Sequence, residues 1–210
     1  MANTSRDTIL GALRSTRLPP VELPDLQQPW IQYPDRGAQF ASVLESVGGR
    51  SCRVRNMAGL LAELEQLPAY SAAKKICSLV PGVSRANVDL EAVSDPHELR
   101  DVDLFIAPGE FGVAENAAVW LTDQATKHRV LYFLCQHLIL VVPADQLVSN
   151  MHQAYDRLSF AEPGLGLFLC GPSKTADIEQ ALVIGAHGAR SLTVFLLEPQ
   201  ANGAVSPLAI

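Results

Sequence analysis

The chain has 210 residues, of which 48% are hydrophobic and 18% are charged, and its net charge is −6. A chain of this length and composition can bury its own core without disulfide or metal staples, and it does not belong to the disordered class. Its mildly negative charge and its lack of a Lys/Arg cluster argue against binding to nucleic acid or to an anionic membrane surface.

Membrane and secretory segments are not evident in the sequence. The longest apolar stretch, near residues 130–142, is interrupted by Cys135, Gln136 and His137 and is too short to cross a bilayer. The N-terminus has no basic region followed by an apolar one, which is the pattern of a signal peptide. We therefore expect a cytoplasmic protein.

The cysteines are widely spaced, at Cys52, Cys77, Cys135 and Cys170, and they form no Cys-x-x-Cys pair. Zinc and iron–sulfur clusters are usually held by closely spaced thiolates, so we expect no metal or iron–sulfur site in this chain. Cys77, Cys135 and Cys170 lie in apolar runs and are expected to be small buried side chains.

The first half of the chain begins with a predicted helix over residues 7–13 and an extended, Pro/Gln-rich arm over residues 18–34. Apolar spacing then predicts elements in the following order: a helix over 38–47, a strand over 50–55, a helix over 57–67 capped by Asn56, a strand over 75–80 and a capped helical turn over 94–99.

The second half is richer in strands. Predicted strands cover residues 102–107, 117–122, 130–134, 137–142, 165–170 and 192–197. Helices are predicted over residues 144–158 and 175–186, and residues 201–210 form a loose tail.

These elements predict an α/β fold with a mostly parallel, mixed sheet flanked by helices, because most of the strands are continuous apolar runs. The run of strands between residues 102 and 142 predicts an antiparallel portion or a hairpin added to that sheet. We expect an N-terminal helix and arm over residues 1–36, an α/β domain over 37–200 and a tail over 201–210.

The first candidate site is the turn from the strand at 165–170 into the predicted helix at 175–186. Gly171, Ser173, Thr175 and Asp177 lie at or near this turn. The first N–H groups of a helix lack internal partners and can bind a phosphate or a carboxylate. Ser173 or Thr175 can equally cap the helix, and Asp177 would repel an anion, so both interpretations stay open.

The second candidate site is the glycine loop over residues 107–116. Gly109 and Gly112 would let the backbone approach a ligand closely, and Glu115 and Asn116 would supply a carboxylate and an amide. A tight connection between strands explains the glycines equally well.

Two histidines need separate treatment. His187, in Gly185-Ala186-His187-Gly188, is either a catalytic candidate or a cationic side chain at a helix C-terminus. His137 stands in an apolar strand and is expected to be a hydrogen-bonded core residue.

Residues 171–179, Gly-Pro-Ser-Lys-Thr-Ala-Asp-Ile-Glu, followed by residues 185–188, resemble the GPSxTADIE…GxHG signature of the LUD-domain family, the C-type lactate-utilisation proteins. Residues 137–143 are similar to the strand that precedes the long helix in that family. The stretch over 114–118 matches less well, because Asn116 and Ala117 replace the usual Thr-Gly. The resemblance covers roughly residues 102–198.

This resemblance implies a fold like the NagB/RpiA/CoA-transferase group and a part in oxidising L-lactate to pyruvate beside partner subunits that carry iron–sulfur clusters. We expect an accessory or ligand-binding subunit that takes a small anionic ligand between the glycine loop and the 173–177 segment, with Glu115, Asp177 and His187 as candidate catalytic groups. The alternatives are an enzyme acting on a sugar phosphate or acyl-CoA by proton or acyl transfer, and a structural partner protein. A homo-oligomer is also possible.

Overall fold

The computed structural model describes residues 4–16, 21–124, 126–159, 164–175 and 182–199. The chain divides into two compact units, Met1–Trp30 and Ile31–Ile210. In the first unit, helix α1 (Ser5–Ser15) confirms the predicted N-terminal helix and begins with a capping box between Thr4 and Asp7. None of its residues is buried.

A five-stranded, fully parallel sheet forms the centre of the second unit. Its strand order is β1-β11-β6-β3-β2. The strands are β1 (Arg50–Val54), β2 (Ile76–Ser78), β3 (Leu104–Pro108), β6 (His137–Pro143) and β11 (Ser191–Leu197). The predicted α/β class with a mostly parallel sheet is confirmed.

Helices and a second sheet cover the two faces of the central sheet. The helices of this unit are α2 (Arg36–Ser46), α3 (Met57–Glu65), α4 (Pro68–Ala72), α5 (Leu131–Leu134) and α6 (Met151–Asp156). Side chains of α3 and α4 pack with Ile139 and Val141 of β6 on one face, whereas Leu138 and Leu140 join the main core on the other. Successive residues of a strand point to opposite faces, so β6 is buried from both sides.

The predicted hairpin belongs to a second sheet and is not an addition to the first one. This four-stranded sheet has the order β7-β4-β5-β8, with β4 (Phe111–Val113), β5 (Ala118–Thr122), β7 (Leu147–Val148) and β8 (Gly166–Leu169). Val119 and Leu121 of β5 face the main core, while Ala118 and Trp120 face a smaller cluster that includes Ala154 of α6.

Three predicted elements differ from the structure. Residues 130–134 were predicted as a strand but contain the short helix α5. The helix predicted over 144–158 is interrupted, because Leu147–Val148 pairs with β4 and only Met151–Asp156 is α-helical, capped by Asn150. The described ends of the helix predicted over 175–186 are not helical: β9 (Lys174–Thr175) pairs antiparallel with β10 (Val183–Ile184), and residues 176–181 lie outside the described part of the chain.

Several local predictions hold. Asn56 caps α3 by accepting a hydrogen bond from the Gly59 N–H at 2.8 Å. The predicted turn at 94–99 is a 3₁₀ turn over Pro96–Leu99 with a capping box from Asp95. No helix in the described part of the chain is long and apolar enough to cross a membrane. The predicted tail at 201–210 lies outside the described residues.

Candidate functional site

The chain makes a sharp turn directly after β8. Gly171 adopts φ +70°, the left-handed region that glycine enters without steric cost. A Cβ atom at this position would lie 3.1 Å from Cγ2 and 3.3 Å from the carbonyl oxygen of Val47. The turn therefore depends on glycine both for its backbone conformation and for its close packing on the end of α2.

The two parts of the signature meet at Ser173. Its N–H donates to the carbonyl of Ala189 at 2.8 Å, and its carbonyl accepts from the N–H of Gly185 at 2.9 Å. A Cβ atom on Gly188 would lie only 2.9 Å from the Ser173 Cβ, so glycine at 188 permits this close approach. Among the described residues the Ser173 hydroxyl has no hydrogen-bond partner, which leaves it available to a ligand.

A cavity of about 400 Å³ opens beside this junction. Residues from both parts of the signature line it, including Ser173, Lys174 and His187. The rest of its wall is largely apolar and aromatic and includes Tyr132, Phe133, Leu138, Phe168 and Leu169. Such a pocket, apolar with a few convergent polar groups, is typical of small-molecule sites.

The charged groups of the cavity favour an anion. Lys174 contributes a cation, and His187 contributes an imidazole that can donate a hydrogen bond. No carboxylate is present among the described residues that line the cavity. The lining therefore differs from the predicted anion site at a helix N-terminus, because side chains supply the positive charge.

Cys170 and Tyr132 stay protonated at neutral pH. Partial burial of its sulfur raises the pKa of the Cys170 thiol, although the residue as a whole is exposed and Lys174 opposes the shift. The thiol donates to the Asn116 carbonyl at 2.8 Å. Burial also raises the pKa of Tyr132 to about 12, and its hydroxyl donates to the Thr122 carbonyl at 3.1 Å. Neither group is an activated nucleophile, since nucleophilic attack requires the thiolate.

Cys170 departs from the sequence prediction in another respect. Cys77 and Cys135 are buried as expected, but Cys170 is exposed and lines the cavity. Its position just after β8 places it on the turn and not within the strand. No signal in the sequence distinguishes it from the two buried cysteines.

The predicted glycine loop contains the strand β4. Side chains of other residues occupy the space beside its two glycines, Gly109 and Gly112. A Cβ on Gly109 would lie 2.4 Å from Val119 Cγ1 and 3.0 Å from Val142 Cγ2. A Cβ on Gly112 would lie 2.7 Å from Leu147 Cδ2. Both glycines are buried, so Gly109 allows close packing between the two sheets, and Gly112 allows close packing of β4 against Leu147 of β7 and Phe40 of α2.

Glu115 and Asn116 lie in the tight turn between β4 and β5. The Glu115 carboxylate accepts from the N–H of Met151 at 2.9 Å, at the first turn of α6. The Asn116 side chain accepts from the Ala118 N–H at 3.1 Å. The backbone carbonyl of Asn116 accepts a hydrogen bond from the Cys170 thiol. Asn116 therefore supports the cavity wall through Cys170, whereas Glu115 stabilises a helix.

The remaining candidates have different outcomes. Thr175 lies in β9, opposite Val183, and does not belong to the described lining of the cavity. Asp177 lies outside the described residues. Gly171, Ser173 and His187 are the predicted residues that the structure brings together. Lys174, Tyr132 and Phe133 join them without having been predicted.

Comparisons with known proteins agree with this architecture. The profile of the LUD domain matches residues 86–197, which is more than half of the chain. A lactate utilization protein C from Geobacillus thermodenitrificans is 35% identical over 89 residues, covering 40% of this chain and 37% of that protein. One from Shouchella clausii is 33% identical over 107 residues, covering 49% of this chain and 46% of that protein. The matched stretch thus spans less than half the length of these relatives.

A solved structure supports the fold. A DUF162 family protein from Deinococcus radiodurans superposes with a TM-score of 0.58 over 77% of this chain and 96% of that one, at 18% sequence identity. The cavity lies largely within the matched profile, and both parts of the signature are included in it. The chain therefore belongs to the LUD-domain family.

Proposed function

We propose that this chain binds a small organic anion in the cavity lined by Ser173, Lys174 and His187. The observation that carries the proposal is the junction at Ser173, where backbone hydrogen bonds hold the two parts of the signature together beside the cavity. The Ser173 hydroxyl, which has no hydrogen-bond partner among the described residues, and Lys174 line the same space with no described carboxylate to oppose an anion.

The apolar part of the cavity wall favours a ligand that has an apolar part. Phe133, Leu138 and Phe168 supply an apolar surface, and Tyr132 is held neutral. A carboxylate or a phosphate would be held by Lys174 and the Ser173 hydroxyl, while its carbon skeleton packs on the aromatic side. Charge-assisted hydrogen bonds of this kind are roughly twice as strong as neutral ones.

The proposal extends to lactate utilisation. The matched relatives carry the name lactate utilization protein C, which supports the same pathway for this chain. We propose that it acts in the cytoplasm as an accessory or ligand-binding subunit in the oxidation of L-lactate to pyruvate, with iron–sulfur proteins as its partners. In such a complex the redox step would take place on the partners.

Binding is favoured over covalent catalysis in this cavity. The pKa of the Cys170 thiol is raised, and among the described residues neither the Ser173 hydroxyl nor the His187 imidazole has a hydrogen-bond partner. A serine or cysteine nucleophile normally needs an adjacent base within hydrogen-bond reach. The arrangement is thus suited to holding an anion and not to forming a covalent intermediate with it.

Isothermal titration calorimetry tests the binding proposal. L-lactate, pyruvate, inorganic phosphate and coenzyme A serve as probes against the purified chain. For the probe that binds, Ser173→Ala or Lys174→Gln is expected to weaken affinity about tenfold or more, since each removes a hydrogen bond to a charged group. Ser71→Ala removes an exposed hydroxyl outside the cavity and is the control. Equal affinities in all four proteins would refute this site.

A second experiment tests the partners. The tagged chain is used to capture proteins from lactate-grown cells of its host, and bound iron and acid-labile sulfide are measured. Recovery of iron–sulfur proteins from lactate-grown but not from glucose-grown cells is expected. Capture without iron or sulfide from either culture would contradict the proposed partnership.

A further inference from the structure

A second polar cleft lies on the opposite face of the central sheet. Its volume is about 520 Å³, and it is lined by Asp101, Asp103, Gln136, His137 and Arg190 together with small residues of α4. These polar residues lie at or just before the amino ends of β3, β6 and β11.

Adjacent residues separate this cleft from the anion cavity. Leu138 and Ala189 line the cavity, whereas their chain neighbours His137 and Arg190 line the cleft. His137 and Leu138 are consecutive residues of β6 and therefore face opposite sides of the sheet, and the cleft and the cavity share no lining residue. The cleft is therefore a distinct site that can be tested independently.

The charges around the cleft are only partly compensated. Oδ2 of Asp103 accepts hydrogen bonds from the backbone N–H groups of Lys74 at 2.7 Å and Lys75 at 2.9 Å. Oδ1 of Asp103 has no hydrogen-bond partner in the described part of the chain. Asp101 forms an ion pair with the Lys75 ammonium.

Arg190 is the cation that lines the cleft, and its guanidinium has no ion-pair partner in the described part of the chain. Its backbone N–H donates to the Gln136 carbonyl at 2.8 Å, which fixes the start of β11 beside β6. Its guanidinium forms no ion pair with Asp101, Asp103 or any other described carboxylate. A planar guanidinium fork matches a carboxylate in a bidentate geometry.

His137 completes the cleft as a neutral group. Its Nδ1 lies 2.8 Å from the Ser191 hydroxyl, which confirms a hydrogen-bonded histidine, although the residue is only half-buried. Burial and, secondly, Arg190 lower the pKa of His137, while Asp103 opposes the shift. At neutral pH the imidazole therefore adds hydrogen bonding without charge.

We propose that this cleft binds a small monocarboxylic acid that bears a hydroxyl or amino group on the carbon next to its carboxylate. The carboxylate pairs with the Arg190 guanidinium, and the hydroxyl or ammonium donates to Asp103 Oδ1. Two aspartates in the wall disfavour a phosphate dianion, because like charges would face each other. A plain carboxylic acid would leave the acceptor on Asp103 unused.

Site-resolved NMR on the full ¹⁵N-labelled chain tests this inference. L-lactate and L-alanine are titrated separately, with propionate as the matched acid that lacks the donor group. We expect shifts at the Gln136 amide and at the Lys75 amide, which donates to Asp103. The better of the two donor-bearing acids is expected to bind about tenfold more tightly than propionate. Tighter L-lactate identifies a hydroxy acid and tighter L-alanine an amino acid. Equal affinity of all three, or no shift at these amides, would overturn the proposal.

Variants separate this cleft from the anion cavity. Arg190→Gln is expected to lower the affinity for the better-binding acid about tenfold or more. Arg190→Lys is expected to lower it less, because lysine keeps the positive charge but lacks the planar guanidinium that binds a carboxylate in a bidentate geometry. Arg14→Gln changes the net charge equally in exposed helix α1 and is expected to have no effect. Ser173→Ala is also expected to leave these shifts unchanged, so failure of the cavity proposal does not affect this one.

Circular dichroism establishes that each variant is folded before the titrations are compared. If Arg190→Gln does not fold, Arg190→Lys and the comparison with propionate on the unmodified chain still decide the question. Unchanged affinity in folded Arg190→Gln, or a loss as large in Arg14→Gln, would refute the role of the guanidinium.

Discussion

Replacing Gly109 with alanine tests whether this glycine serves packing between the two sheets. The added Cβ would lie 2.4 Å from Val119 Cγ1 and 3.0 Å from Val142 Cγ2. Carbon atoms normally contact at about 3.5–4.0 Å, so Val119 or the backbone must move by roughly 1 Å. Both valines are fully buried and cannot move into solvent.

The expected cost follows from this overlap. Overpacking a core costs about 1–3 kcal/mol, and the lower unfolded-state entropy of alanine returns about 0.4–1 kcal/mol. We therefore expect Gly109→Ala to lower the free energy of unfolding by about 2 kcal/mol. Val119→Ala alone should cost about 1.5–3 kcal/mol through lost burial. The double variant should lose about 1–2 kcal/mol less free energy of unfolding than the sum of the two single losses, because the closest clash, with Val119, is removed.

Urea unfolding followed by circular dichroism measures these free energies. Gly59→Ala is the control, because its Cβ would meet nothing closer than Asn56 Oδ1 at 3.5 Å within helix α3. It should be neutral or stabilising by up to about 1 kcal/mol. Full stability of Gly109→Ala without coupling to Val119 would refute the packing role. Full stability with lost anion affinity would show instead that Gly109 faces the ligand.

Three further predictions concern Gly171, Asp103 and Cys170. Gly171→Ala should lower the free energy of unfolding in urea by about 1–2 kcal/mol, because φ is +70° beside Val47; unchanged stability would contradict this conformation. The pKa of Asp103 is lowered by the N–H groups it accepts, so its stabilisation is present above about pH 4 and is lost as the pH falls through the folded-state pKa. The stability difference between the unmodified chain and Asp103→Asn should therefore shrink below about pH 4 in urea titrations, and a constant difference would argue against this. The pKa of Cys170 is raised, so its alkylation by iodoacetamide should reach half its maximal rate at a higher pH than that of a free thiol. A half-maximal rate at a lower pH than that of a free thiol would contradict the hydrogen bond from Cys170 to Asn116.

Long apolar runs made much of the central sheet predictable. β6 and β11 are each seven residues long and nearly all buried, so their hydrophobic pattern alone identifies them. The short run at 130–134 was ambiguous, because an apolar segment of this length fits a buried helix as well as a strand. Tertiary packing of Leu131 and Tyr132 into the main core decides in favour of helix.

The described ends of the segment 175–186, which are not helical, show where local signals mislead. Ser173, Thr175 and the acidic residues after them are typical of a helix start. Thr175, Val183 and Ile184 are β-branched, however, and they pair across β9 and β10. Each of these strands is only 2 residues long, which is too short to show the alternation of apolar and polar residues that identifies a strand in a sequence.

The candidate site was predictable only in part, for a similar reason. The signature identified Gly171, Ser173 and His187, which the cavity brings together. Lys174 occupies a variable position of that signature, and Tyr132 comes from a distant segment. Their contribution depends on how the two sheets pack, which a single sequence does not specify.

Protection of Cys170 from alkylation tests the anion cavity most directly. Cys170 lines the cavity and is exposed, while half-buried Cys52 lies outside it and serves as an internal control in the same molecule. The protein is treated with iodoacetamide with and without the anion that binds in calorimetry, and both sites are quantified by mass spectrometry. The cavity site predicts that the anion slows alkylation of Cys170 and leaves Cys52 unchanged. Equal rates at Cys170 with and without the bound anion would contradict it.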